Sequence, residues 1–192
     1  MVHRSQIPKV TSGPNYEEPM IPNPLHPALV HFPIVLALLL PLVVAAAFVA
    51  VKRGVSPRMA WLAPIAFAFL LLASVWATVE TGEKEEDVVE DVVAHETLET
   101  HEEAGKRFLL LSLVSLLVIA GGAAPGRTGQ IGRASGAVMS IVLAVAVFGV
   151  GRSGGELVYT HGAAQAYASA PAMEELRDVE ERDHDDEADE RH

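Results

Sequence analysis

Four stretches of this chain run without a charged residue for about the length of a membrane crossing. Residues 32–51, 59–79, 108–126 and 134–151 are each bounded by His, Lys, Arg or Glu and contain none inside. An α-helix needs about 17–25 mostly apolar residues to cross the hydrocarbon of a bilayer. A helix also satisfies its backbone polar groups internally, which lipid requires. The alternative is a soluble core with four buried helices. A chain of 192 residues, half of them hydrophobic, has too little polar surface to cover such a core. The expected fold class is therefore all-α, an integral membrane four-helix bundle. Between helices 2 and 3, Val88, Val89, Val92, Val93 and Leu98 recur at near-helical spacing among acids, which predicts a short amphipathic helix along the surface.

The spans divide the chain into three parts. Residues 1–24 carry five prolines and read as an extended arm, residues 25–165 form the transmembrane domain, and residues 166–192 form an acidic tail. The helices are expected over 27–51, 58–79, 101–124 and from 132 onward. Thr81-Gly82 is read as the stop of the second, Pro41 as a kink in the first, and Trp61 and Trp76 as interface aromatics at the ends of the second. The first apolar run starts too late and is too long for a signal peptide, so the chain is expected to be the mature form.

Charge is partitioned unevenly. Lys52, Arg53 and Arg58 follow helix 1, and Arg127 and Arg133 follow helix 3, with no acid in either connection. The connection after helix 2 and the C-terminal tail are acidic, and the formal net charge is −11. Basic residues in short loops mark the cytoplasmic side. This predicts an inner-membrane protein with four spans and both termini on the periplasmic side.

That topology gathers the histidines. His26 and His31 open helix 1, His101 opens helix 3, His161 closes helix 4, and His95 lies just before His101, all at the outer end. Polar groups in hydrocarbon cost several kcal/mol unless answered. Facing helices that present ligands at one depth form a site in a bundle. No cysteine is present, which excludes disulfides, thiolate zinc sites, iron–sulfur clusters and covalent haem attachment. Four imidazoles suit zinc, copper or haem iron. A b-type haem, flat and apolar, suits a bundle interior, and the glycines of helix 4 at 149, 151, 154 and 155 would let a flat ligand or another helix approach.

His26 and His31 are five residues apart, about 140° around a helix, so both cannot face one iron from an ideal helix. One or two haems therefore remain open, as does the pairing, for example His31 with His101 and His26 with His161. Lys106, Arg107 and Arg152 lie at a depth suited to haem propionates. Arg152 equally precedes Glu156 by four residues and so can pair with it. Glu156 and Tyr159 are candidates for moving protons.

Residues His26-Pro27-x-x-Val30-His31-Phe32-Pro33-Ile34 resemble the opening signature of the bacterial four-helix membrane proteins catalogued as domain of unknown function 2231. Thr81-Gly82, His101 and Gly154-Gly155-Glu156-Leu157-Val158-Tyr159-x-His161-Gly162 are similar to that family's other marks. The resemblance covers about residues 24–162. It implies a redox context, beside cytochrome and Rieske-type modules, and raises haem above zinc and copper. Arg152 departs from it. The function expected is a membrane-bound electron carrier of the respiratory chain, with lipid, a c-type cytochrome, a Rieske protein or a larger respiratory complex, and quinone as partners, and no nucleic acid. The rivals are a zinc- or copper-binding membrane protein and a structural subunit of a respiratory complex. No nucleophile–base pair, phosphate loop or H-E-x-x-H is present, so an enzyme is not expected.

Overall fold

The computed structural model describes residues 25–90 and 92–167. The proline-rich arm and the tail beyond Tyr167 lie outside the described residues. Those described include no strand and the helices α1 (His26–Leu29), α2 (His31–Lys52), α3 (Pro57–Lys84), α4 (Glu86–Val89), α5 (His95–Gly121) and α6 (Gly126–Tyr159), with the chain helical again over 163–167.

Four of the units are long and apolar enough to cross a membrane, α1 and α2 counting together as one span, His26–Lys52. Pro33 has no N–H to offer the Leu29 carbonyl, and the chain turns at Val30 between α1 and α2. Pro41 lies inside α2. Thr81-Gly82 does not end α3, which continues to Lys84. The Thr78 and Thr81 hydroxyls bond back to the Ser74 and Ala77 carbonyls at 2.8 and 3.0 Å, so these residues fit within the helix. The amphipathic helix shrinks to the single turn of α4. α5 and α6 each start six residues before their expected first residues, His101 and Gly132.

The spans pack in a ring, α2 against α3 and α6, and α5 against α3 and α6. The interior holds Leu40, Trp61, Leu71, Ile119 and Leu143, interleaved with Ala37, Ala47 and Ala68. Buried Ser112, Ser115 and Ser140 bond to carbonyls of their own helices at 2.7–2.8 Å. Small residues at helix contacts are what packing in lipid favours, because no hydrophobic force drives helices together there. Phe32, Leu42, Phe69, Leu117, Val145 and Phe148 point outward and are each more than half exposed. Such a belt suits lipid and would be a liability in water.

The two tryptophans part company. Trp76 is 57% exposed near the end of α3, as an interface aromatic should be, but Trp61 is fully buried. Its indole N–H donates to the Ile119 carbonyl at 2.7 Å, and Phe48 meets it edge-on at 5.3 Å. The slot exists because residue 122 is glycine: a Cβ there would lie 2.1 Å from the indole nitrogen. Trp61 is therefore part of the core, not of the aromatic belt.

Candidate functional site at the histidine end

The short α1 brings His26 in against the end of α3. Two contacts fix it. Glu85 Oε1 accepts from the Leu25 and His26 backbone N–H groups at 2.6 and 3.0 Å, which caps α1 from a residue far away in sequence. The His26 ring places Nδ1 2.9 Å from the Thr78 carbonyl. A carbonyl can only accept, so Nδ1 carries a proton and donates, which leaves Nε2 as the nitrogen not used in this contact.

His101, near the start of α5, is held the same way from α6. Its Nδ1 lies 2.8 Å from Ser153 Oγ, and the single hydroxyl hydrogen of Ser153 is spent on the Val150 carbonyl at 2.9 Å. Nδ1 is therefore again the donor and Nε2 again the free nitrogen. The two half-buried rings stand with centroids 6.3 Å apart and planes at 86°. Neither Nε2 has a hydrogen-bond partner among the described residues, and neither is sealed from its surroundings.

Glycine makes room for both rings. A Cβ at Gly82 would sit 3.1 Å from the His26 ring, and one at Gly154 would sit 3.1 Å from His101 Cε1. The glycine run of α6 thus lets an imidazole lie against the helix backbone at Gly154. Cβ atoms at Gly149, Gly151 and Gly155 would meet nothing within 4 Å.

The other expected site residues stand apart from this pair. His31 is exposed, with Nδ1 only 3.4 Å from the Ala28 carbonyl of its own chain segment. His161 is exposed in the turn after α6, and His95 is exposed at the first residue of α5. Tyr159 is 91% exposed. The three candidate cations are all paired with acids. Arg152 bonds Glu156 at 2.9 Å, Lys106 bonds Glu83 and Glu102 at 3.1 and 2.6 Å, and Arg107 pairs with Glu103. Among the described residues no group of three or more His, Cys, Asp or Glu is placed to hold a metal ion.

Three residues of this site were invisible to sequence reasoning: Thr78, Glu85 and Ser153. Thr78 acts through its backbone, Glu85 is one acid among many, and only Ser153, a hydroxyl inside a glycine run, carried a faint signal. Glu85 does more than cap α1, because its Oε2 accepts from the Tyr167 hydroxyl at 2.9 Å. Gly162 takes a left-handed φ of +73° and turns the chain after α6, so that Ala163 and Ala166 bury against Val89, Val93 and Leu157. Burial and then the Glu85 contact push the Tyr167 phenol well above its ordinary range.

No curated protein and no solved structure matches the chain. A family model described as "Predicted membrane protein (DUF2231)" matches residues 22–166, a span that holds both paired histidines, Glu85 and the glycine run of α6. With most of its length matched, including all four membrane-spanning units, the chain belongs to that family of membrane proteins.

Proposed function

We propose that the protein is a membrane-bound, b-type cytochrome-like electron carrier whose haem iron is held by His26 and His101. The observation that carries this reading is the ring pair itself. A metal ion held by one nitrogen of each ring, with bonds of about 2.0–2.1 Å, would need the two ring centres roughly 5–6 Å apart. The rings stand at 6.3 Å. A tetrahedral zinc would want them closer and would want two further donors. Each Nδ1–H is already tied to an oxygen, the arrangement that fixes the tautomer of a ligating histidine and raises its basicity. Bound there, the group would supply one-electron transfer. His26 and His101 would provide the nitrogens, Thr78 and Ser153 would hold the rings, and Glu85 would anchor the backbone of His26. Propionates would have to compete with Glu83, Glu102, Glu103 and Glu156 for the nearby cations.

Five basic residues at the opposite end support an inner-membrane orientation with the histidine end on the periplasmic side. The acidic residues around that end would steer a basic redox partner such as a c-type cytochrome. The reduced-minus-oxidised optical spectrum of the purified protein tests the reading. A sharp b-type α-band that disappears in His26→Ala and His101→Ala is expected. A colourless protein that retains zinc or copper would replace haem with the metal rival, and a colourless, metal-free one would leave a structural subunit.

A further inference from the structure

The end of the bundle opposite the histidines carries a cleft of about 230 Å³, formed where the α2–α3 connection meets the α5–α6 connection. Ser56, Pro57 and Arg58 line it on one side, and Pro125, Gly126 and Arg133 on the other. We propose that this cleft binds the phosphodiester headgroup of an anionic membrane lipid.

Both arginines are available to it. Arg133 donates Nη1 to the Gly122 carbonyl at 2.7 Å, at the C-terminus of α5, which holds the guanidinium in place and leaves its other donors free. Arg58 is exposed and has no partner among the described residues. Planar guanidinium groups match phosphate oxygens two at a time. Lys52 and Arg53 at the end of α2 and Arg127 in the first turn of α6 lie beside the two connections, which carry no acid, so nothing there neutralises the pair. α6 starts at the cleft without a side-chain cap, which leaves its first N–H groups open to an acceptor.

The surroundings favour a lipid over a free anion. Met59 and Leu62 of α3 and Ile131 of α6 lie within about a turn of the lining arginines along their helices and are each more than half exposed. A headgroup in the cleft would lay its acyl chains along this outward apolar surface. Basic pockets between membrane helices take anionic headgroups in just this setting.

The test uses the full chain in nanodiscs of phosphatidylcholine doped with spin-labelled phosphatidylglycerol or spin-labelled phosphatidylcholine. The immobilised fraction of each label is the readout. The wild type should immobilise phosphatidylglycerol in clear preference to phosphatidylcholine. Arg58→Gln and Arg133→Gln should each reduce that preference several-fold, and Lys84→Gln, at the other end, should leave it intact. The Arg58 side chain is exposed and has no hydrogen-bond or ion-pair partner among the described residues, so its variant remains informative even where Arg133→Gln fails to fold. Equal immobilisation of the two labels, or a preference indifferent to Arg58→Gln, overturns the proposal. Displacement of phosphatidylglycerol by millimolar inorganic phosphate at unchanged ionic strength also overturns it, in favour of a small-anion site.

Discussion

The two ends of this bundle use glycine for opposite purposes. At the basic end glycines bring main chain onto main chain. A Cβ at Gly132 would lie 2.5 Å from the Gly121 carbonyl carbon, and one at Gly129 would lie 1.8 Å from the Ala124 oxygen. At the histidine end Gly82 and Gly154 leave a shallower space, 3.1 Å, and an imidazole fills each. One end is locked by backbone contact that no side chain can relieve. The other is a seat for two rings with unused nitrogens. The comparison suggests that the basic end carries more of the stability of the fold, and it is the histidine end on which the proposed haem reading rests.

The largest test of that division is Gly132→Ala against Gly154→Ala. Backbone must move for the first, and about 3 kcal/mol of destabilisation is expected, the upper range for overpacking. The second needs His101 to yield by a few tenths of an ångström and should cost under about 1 kcal/mol. Apparent melting temperatures in one detergent would rank them. Equal losses at the two ends would dissolve the distinction.

Trp61→Phe probes the locked end from its other side. It keeps most of the apolar volume but loses the bond to the Ile119 carbonyl, which Gly122 N–H also reaches at 2.9 Å. A loss of about 1–2 kcal/mol is expected, from the hydrogen bond and the small cavity left behind. Its check is denaturant unfolding followed by circular dichroism. No change would mean that the slot is less tightly filled than its contacts imply.

The histidine end also carries a contact that titration can read. Tyr167 is pushed above the ordinary phenol value of about 10, so the folded state favours the neutral ring. Its contribution is complete below about pH 10 and is lost as pH rises through the folded value. Phenolate absorbance should show one tyrosine titrating after the others, and Tyr167→Phe should remove that last step. Tyr167→Phe should also cost about 0.5–1.5 kcal/mol, the worth of one hydrogen bond. The smallest effect is expected at Arg107→Gln. Its exposed pair with Glu103 is screened by solvent, and thermal stability should not change measurably.

Most of the architecture was legible because lipid imposes so plain a pattern. Four charge-free runs bounded by charges could be little else, and the family marks at His26, His101 and Gly154 fall in the matched region. Helix ends were less legible. Thr81-Gly82 reads as a stop in water-soluble grammar, but threonine hydroxyls can bond back to the helix and a glycine can serve a neighbouring ring. The convergence of histidines at one end could be read from topology. Which two would meet could not, because the partner of His101 depends on the break at Val30 and on Glu85 drawing α1 inward. Equal depth placed His31 and His161 beside the pair. Their exposure reflects rotation about the helix axis and the turn at Gly162, which spacing alone does not set.

The central claim is that His26 and His101 form one ligand pair and that His31 and His161 stand outside it. The most direct measurement is the reduced-minus-oxidised spectrum of the four single alanine variants beside the wild type, all expressed with haem supplied. A b-type band in the wild type, retained in His31→Ala and His161→Ala and lost in His26→Ala and His101→Ala, is the predicted result. A band that survives loss of either paired histidine, or a wild type that stays colourless, would contradict it.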